Sequence, residues 1–353
     1  MLRSAYPSAP RALKPTFRGG RSSRRWMSVR PSAADGTTPA RTKVTIRHLQ
    51  QLRDTGTPIT MLTAYDFPTG RALDRYGVDI ALVGDSLAQV CLGLPSTTLL
   101  TLDEMLHHCR AVARGCAHPL LVADMPFGSY QVHPDDAVRN AVRMVQEGRV
   151  EAVKLEGGRE IAETVRRITR IGVPVMAHVG LLPQRHVALS GYRVQGRDVA
   201  GAREVYEDAL ALQAAGAFAV VLEAIPCRLG EYITSKLSIP TIGIGAGPRT
   251  SGQVLVWDDV MTRWHGRKAK FVRRFADVGE EEADGVQNYV NAVKAGVFPD
   301  AKEEGYAMGL GQWEKFLEEM GDEGWRDSET GSGDEVSWKT LEHLPAAPRR
   351  QTN

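Results

Sequence analysis

Cysteine is scarce in this 353-residue chain, and the four present (Cys91, Cys109, Cys116, Cys227) form no CxxC pair and have no histidines at zinc-site intervals. That argues against a thiolate metal centre and predicts reduced, buried thiols acting as small hydrophobes. Long apolar runs are missing too. Nothing approaches the ~20 residues of a membrane-spanning helix, so no membrane is expected as a partner. Acidic residues are absent before Asp35, a stretch that carries eight Lys or Arg. The rest of the chain then holds 36 basic against 42 acidic residues, near −6, which argues against a nucleic-acid partner.

The acid-free start is rich in Arg and Ser and has no apolar core of a secretory signal. This is the composition of a mitochondrial transit peptide, so residues 1–40 are expected to be a targeting segment or a disordered basic arm, and the location to be the mitochondrion. At the other end, residues 314–353 are dominated by charge, Gly and Ser, and are expected to form a mostly disordered tail.

Residues 41–313 have a different texture. Eight short apolar runs, "PITMLTAYD", "DIALVGDS", "PLLVADMP", "EAVKLEG", "VPVMAHVG", "FAVVLEA", "IPTIGIGAG" and "GQVLVWDD", are bounded by Gly, Pro or Asp, as buried parallel strands are. Amphipathic segments such as "HPDDAVRNAVRMVQEG" and "GREIAETVRRITRIG" separate several of them and carry helix start and stop signals. Eight strands alternating with helices predict an α/β (β/α)8 TIM barrel. An open doubly wound sheet is the alternative, but "TAYDFPTG" after the first strand lacks the glycine-rich chemistry of that fold. Before the first strand, "TIRHLQQLRDTG" predicts a helix capped by Thr45, which would close the barrel bottom or pack on a neighbouring subunit.

The polar residues fall at one end of these runs. Asp85 and Ser86 follow the second, Asp124 the third, Lys154 and Glu156 close the fourth, His178 the fifth and Glu223 the sixth. In a barrel those ends converge on the face where active sites are built. Burying so many charges without partners would cost several kcal/mol per ion, so they must compensate one another, bind a metal, or both. Asp85, Asp124 and Glu156 suggest a hard divalent cation such as Mg2+. With Lys154 beside it, such a cation suits an α-keto acid, and Glu223 is the candidate base for a proton on the carbon next to the ketone. Duller readings stand beside these. Lys154 and Glu156, two apart in a strand and so on one side, could be a structural ion pair. His178 could donate to a backbone carbonyl. "GIGAG" could cradle a phosphate or serve a tight turn. His107 and His108 read as surface positions on a helix.

The motifs "LVGDSLAQVCLGLPSTTLLTLDEMLHHCRAV", "LVADMPFGSY", "AVKLEGG", "VMAHVGLLPQ", "SGYRVQGR", "VVLEAIP" and "IPTIGIGAG", in this order from about Val44 to Tyr306, resemble the ketopantoate hydroxymethyltransferase family. The resemblance implies a barrel of the phosphoenolpyruvate/pyruvate superfamily type. It implies transfer of a hydroxymethyl group from 5,10-methylenetetrahydrofolate to 3-methyl-2-oxobutanoate with Mg2+, giving 2-dehydropantoate for pantothenate synthesis. It also implies a homo-oligomer, a decamer. Carried over by motif, Asp85 and Asp124 are metal and keto-acid contacts, Ser86 and Lys154 bind the substrate, and Glu156 is linked to the metal. Glu223 is the base, and His178 is a site residue that binds substrate. Ser190 departs from a more usual glycine, and "VWDD" from a His-Asp pair, leaving the metal and base positions untouched. Related barrel enzymes that cleave or mutate carbon–carbon or carbon–phosphorus bonds carry a "KKCGH"-like lid motif, which this sequence lacks. A barrel that had lost catalysis would lack a metal acid or the base, and all are present.

Overall fold

The computed structural model describes residues 41–263, 268–322, 324 and 325. The expected transit segment lies outside them. The described residues open with α1 (Ile46–Thr55), capped by Thr45, whose hydroxyl accepts from the His48 amide, and ended by Gly56 in the left-handed region. Eight strands follow: β1 (Ile59–Thr63), β2 (Ile80–Val83), β3 (Leu120–Asp124), β4 (Ala152–Glu156), β5 (Val175–Gly180), β6 (Ala219–Glu223), β7 (Thr241–Ile244) and β8 (Gly252–Leu255). Each pairs in parallel with the next, and β8 pairs with β1, so the sheet closes into the expected barrel.

Between the strands lie α2 (Phe67–Arg75), α3 (Leu87–Val90), α4 (Leu102–Gly115), α5 (Pro134–Gln146), α6 (Ala162–Arg170), α7 (Val199–Ala214) and α8 (Cys227–Lys236). Their starts are written in the sequence. Asp66 and Thr69 form a capping box on α2, Thr101 and Glu104 one on α4, and Pro134 opens α5. No helix joins β7 to β8. After β8 come α9 (Trp257–Val260), α10 (Val278–Lys294) and α11 (Leu310–Met320). The last runs across the expected start of the tail at residue 314. Trp313, Phe316, Leu317 and Met320 recur at helical spacing there, and Trp313 lies against Phe316 and Trp325. A reading weighted by charge passed over that period.

Alternation along the strands sorts the core into two layers. Ala81, Leu121, Val153, Leu155, Val175, Val220 and Leu222 face the helices. Ile59, Met61, Ile80, Leu120, Val122, Ala152, Met176, Ala219 and Ile242 fill the barrel interior, joined from below by Val44 and Leu49. Leu49 is fully buried, and α1 therefore plugs the amino-terminal end of the barrel. Two sequence expectations need correction. Cys109 and Cys116 are buried, but Cys91 and Cys227 are exposed, because each sits where a short helix begins or ends rather than on its core face. His108 is no free surface residue, since its Nδ1 lies 2.6 Å from the Tyr65 carbonyl oxygen.

Candidate active site

With α1 closing one end, the carboxyl ends of the strands open on a cavity of about 190 Å³. Asp85, Ser86, Asp124, Lys154, Glu156, His178 and Glu223 all line it, so every site residue expected from sequence reaches one space. The strand register explains the gathering. Asp124 pairs with Lys154, Glu156 with His178, and Gly180 with Glu223, each on neighbouring strands.

The Lys154 ion pair is not the one its own strand suggested. Lys154 Nζ donates to Asp124 Oδ1 at 2.5 Å, across to β3, while Glu156 turns away to accept from the Gln184 amide at 3.0 Å. The cross-strand register sets that partner, and sequence spacing does not reveal it. Asp124 Oδ2 accepts from the Asp85 amide at 3.0 Å. Burial pulls the Lys154 ammonium toward neutrality, but the charges of Asp124, Glu156 and Asp85 outweigh it and hold the lysine protonated.

Four carboxyl groups from the strand ends, with Asp259 farther along the wall, share this space with Lys154. Burial, reinforced by the charge of Asp124, raises Asp85 to about 7. Burial and the charge of Asp85 push Glu156 well up, and burial raises Glu223 to about 8. This surplus of buried oxygen donors suits a hard divalent cation. The acids are nonetheless not a ready cage. Among the described residues, no group of three or more His, Cys, Asp or Glu side chains stands at metal-holding spacing. Asp85 and Asp124 adjoin directly, and Glu156 is held back by its bond to the Gln184 amide.

His178 sits between two acids, with Nε2 3.1 Å from Glu223 Oε2 and Nδ1 3.6 Å from Glu156 Oε1. Neither ring nitrogen makes a well-aligned hydrogen bond, although the Leu181 backbone acts on the ring in the direction expected of a carbonyl acceptor. Burial first, and the Lys154 charge second, pull it well below the usual histidine range, leaving it neutral. Of the "GIGAG" glycines, Gly243 is part of β7, and only Gly245 and Gly247 lie beyond the strand, both at positive φ. Gly245 has φ +67°, and a Cβ there would come within 2.7 Å of the Phe271 ring, which lines the cavity.

Several contributors escaped sequence reasoning. Gln184, 4% exposed, is the hub of the acidic side. Its Nε2 donates to Asp85 Oδ2 at 2.9 Å and to the Met125 carbonyl at 3.0 Å. Its Oε1 accepts from Tyr130 Oη at 2.8 Å and Gln131 Nε2 at 3.2 Å. Two acceptors face the nitrogen and two donors the oxygen, which fixes the amide in one orientation. Tyr130 Oη also accepts from the Glu156 amide at 3.1 Å. Thr63, Tyr65 and Ser86 form a hydroxyl chain, and Thr97, Tyr192, Asp259 and Phe271 complete the wall. Gln184 stood inside the quoted "VGLLPQ" motif, which was the one available signal.

These features define the class: a (β/α)8-barrel enzyme whose polar strand ends receive a small molecule in a buried cavity where, among the described residues, several acids surround one cation. Residues 43–301 match the family model described as ketopantoate hydroxymethyltransferase. Proteins called 3-methyl-2-oxobutanoate hydroxymethyltransferase are similar to it. One from Emericella nidulans is 47% identical over 80% of this chain and 82% of its own length. One from Heliobacterium modesticaldum is 48% identical over 73% and 93%, and one from Moorella thermoacetica 48% over 74% and 97%. The chain belongs to the ketopantoate hydroxymethyltransferase family. Among solved structures, oxaloacetate acetylhydrolase aligns at TM-score 0.49 and 16% identity over 78% of this chain and 98% of that one, a likeness too slight to bear on chemistry.

Proposed function

We propose that this chain transfers a hydroxymethyl group from 5,10-methylenetetrahydrofolate to 3-methyl-2-oxobutanoate, giving 2-dehydropantoate, the committed step toward pantothenate. The observation that carries this reading is the meeting of Lys154 and Glu223, from β4 and β6, in one small cavity. A keto acid needs a cation for its anionic oxygens and a base for the C3 proton, and the cavity offers one of each.

Lys154, kept charged by Asp124, meets the substrate's anionic oxygens, and Ser86 adds a hydroxyl contact. Glu223 is the most open of the four acids, with a side chain 14% exposed against 3% for Glu156 and 6% for Asp124. Its raised affinity for protons suits a base working near neutral pH, since transfer is most efficient when base and operating pH match. His178, neutral, lies 3.1 Å from that carboxylate and lines the same cavity. Asp85 and Asp124 would hold Mg2+, with Glu156 supporting it directly or through water. The ion would chelate the keto acid and make its C3 proton more acidic. Once Glu223 has taken that proton, the electron pair left on the substrate forms the new carbon–carbon bond to the folate's one-carbon unit, as one of that unit's two carbon–nitrogen bonds breaks and its electrons pass to nitrogen. Water replaces the second nitrogen to give the hydroxymethyl group, and tetrahydrofolate leaves with its nitrogens protonated by the proton held on Glu223 and one from the water.

The test is proton exchange at C3 of 3-methyl-2-oxobutanoate in deuterated water with Mg2+ and no folate. Wild-type protein exchanges it, and Glu223→Gln does so at least a hundredfold more slowly. Undiminished exchange in the variant would remove Glu223 from the base role.

The basic composition of residues 1–40 supports a mitochondrial location, tested by whether that segment carries a fluorescent reporter into the organelle. The exposed Val286, Tyr289 and Val293 of α10 support a homo-oligomer of the decameric kind, tested by light scattering of the purified protein.

A further inference from the structure

The acidic side of the cavity is closed by internal hydrogen bonds, but the side built from the residues after β1 and β2 is left incomplete. Thr97 lies in a single turn, Thr97–Leu99, that packs near α3. Its side chain lines the cavity and the residue is only 2% exposed, yet its Oγ1 has no hydrogen-bond partner. A buried hydroxyl left unpaired is destabilising, so a ligand that pairs it gains. Trp257 Nε1 and Asp258 Oδ2 are also buried and unpaired, but neither residue lines the cavity.

A hydroxyl chain also reaches the cavity. The Trp257 amide donates to Thr63 Oγ1 at 2.8 Å, and Thr63 donates to Tyr65 Oη at 2.7 Å. The Tyr65 and Ser86 hydroxyls lie 2.8 Å apart, and either can donate to the other. The Ser86 hydroxyl thus has a partner inside the chain, whereas Thr97 Oγ1 has none.

Resting on the function proposed above, we propose that Thr97 is a hydroxyl donor for the carboxylate of the keto acid, in addition to the contact already given to Ser86. Lys154, the one cation lining the cavity among the described residues, is tied to Asp124, so a carboxylate entering among acids gains from a neutral donor. Thr97, buried in the cavity lining with its hydroxyl unpartnered, meets that need. Its partner is the carboxylate rather than the folate, because Thr97 shares this small cavity with Asp85, Lys154 and Glu223, where the keto acid would lie.

The experiment is the folate-free C3 exchange reaction with Thr97→Val and Thr97→Ser. Valine keeps the shape and removes the hydroxyl, and serine restores it. Thr97→Val is expected to melt no lower than wild type, because an unpaired buried hydroxyl has been removed. Its KM for 3-methyl-2-oxobutanoate in exchange should rise about ten- to a hundredfold, the loss of one hydrogen bond to a charged group, and Thr97→Ser should recover most of it. An unchanged KM with Thr97→Val would overturn the assignment and leave the hydroxyl serving buried water. A rise confined to the folate KM in full turnover would overturn it as well. Wild-type protein that exchanges no proton would sink the proposed function, and the assignment with it.

Discussion

The barrel interior has a lower and an upper half built on the same strands, and they obey opposite rules. Going up β3, Val122 is followed on the same face by Asp124. On β4, Ala152 is followed by Lys154 and Glu156, on β5 Met176 by His178, and on β6 Val221 by Glu223. All of these but Glu223 are buried to the same degree, so burial alone does not distinguish the halves. What differs is whether a buried group has partners. Below, there is nothing to satisfy and packing suffices. Above, Lys154 answers Asp124 and Gln184 answers Asp85 and Glu156, while Glu223 and Thr97 keep capacity open toward the cavity. The fold tolerates polar groups only where strand ends leave room for such a network.

Moving a carboxylate down one layer breaks the comparison most severely. Val122→Asp places an acid two residues below Asp124, among Leu120, Met176 and Ile80, with no donor in the layer. An unpaired buried ion costs several kcal/mol, a large share of a typical domain's stability. Purification should give little folded protein, and a variant melting within a few degrees of wild type would refute the two-layer account.

The next largest effect comes from making the upper half resemble the lower. Lys154→Met strands Asp124 beside Asp85, and is expected to lose about 3–5 kcal/mol and all exchange activity. The double variant Lys154→Met, Asp124→Leu removes the stranded charge with its partner. It should regain most of that stability, because replacing a whole buried pair by apolar groups is often neutral or better, and stay inactive. Denaturant unfolding compares the three proteins. A double variant no more stable than the single one would mean that the pair holds the fold and not the site.

The same contrast explains what the sequence makes readable. The lower half announces itself in short Val/Ile/Leu runs, and the charged strand ends stand out against them, so the barrel and the seven site positions are legible. The network joining them is not. Lys154 and Glu156 are two apart and share a face, but that spacing says nothing of Asp124, thirty residues earlier, which only register brings alongside. Gln184 and Thr97 carry no charge and lie in turns beyond β5 and β2, so a search for titratable groups on strands passes over both. Tyr65 looks like an ordinary aromatic until Thr63 and Ser86 are seen on either side of its hydroxyl.

A smaller effect follows from the hub. Gln184→Leu keeps the bulk but removes two donors and two acceptors, releasing Asp85 and the Tyr130 hydroxyl. Stability should fall by about 1–3 kcal/mol. The KM for Mg2+ in the exchange reaction should rise while activity at saturating metal drops less, since Asp85 is no longer held in place. Equal losses at low and high Mg2+ would place Gln184 outside metal positioning.

The smallest expected effect sharpens the comparison through pH. In chelator, Glu223 is pushed up to about 8 from an ordinary 4.5, chiefly by burial. The folded state thus binds a proton more tightly than the unfolded one. Its contribution is fully present below about pH 4.5 and is lost as the pH rises through 8. Glu223→Gln has no proton to lose, so it should match wild type near pH 5 and melt a few degrees higher above pH 8. Asp85 titrates in both proteins, but the Glu223 charge helps to raise it, so Glu223→Gln relieves Asp85 as well and widens the gap in the same direction. The gap should shrink as Mg2+ is restored, because a cation in the cavity favours the charged Glu223 that only the wild-type protein carries. A Tm difference that did not change with pH would show that Glu223 is already solvated, and that the upper half is more open to water than its packing implies.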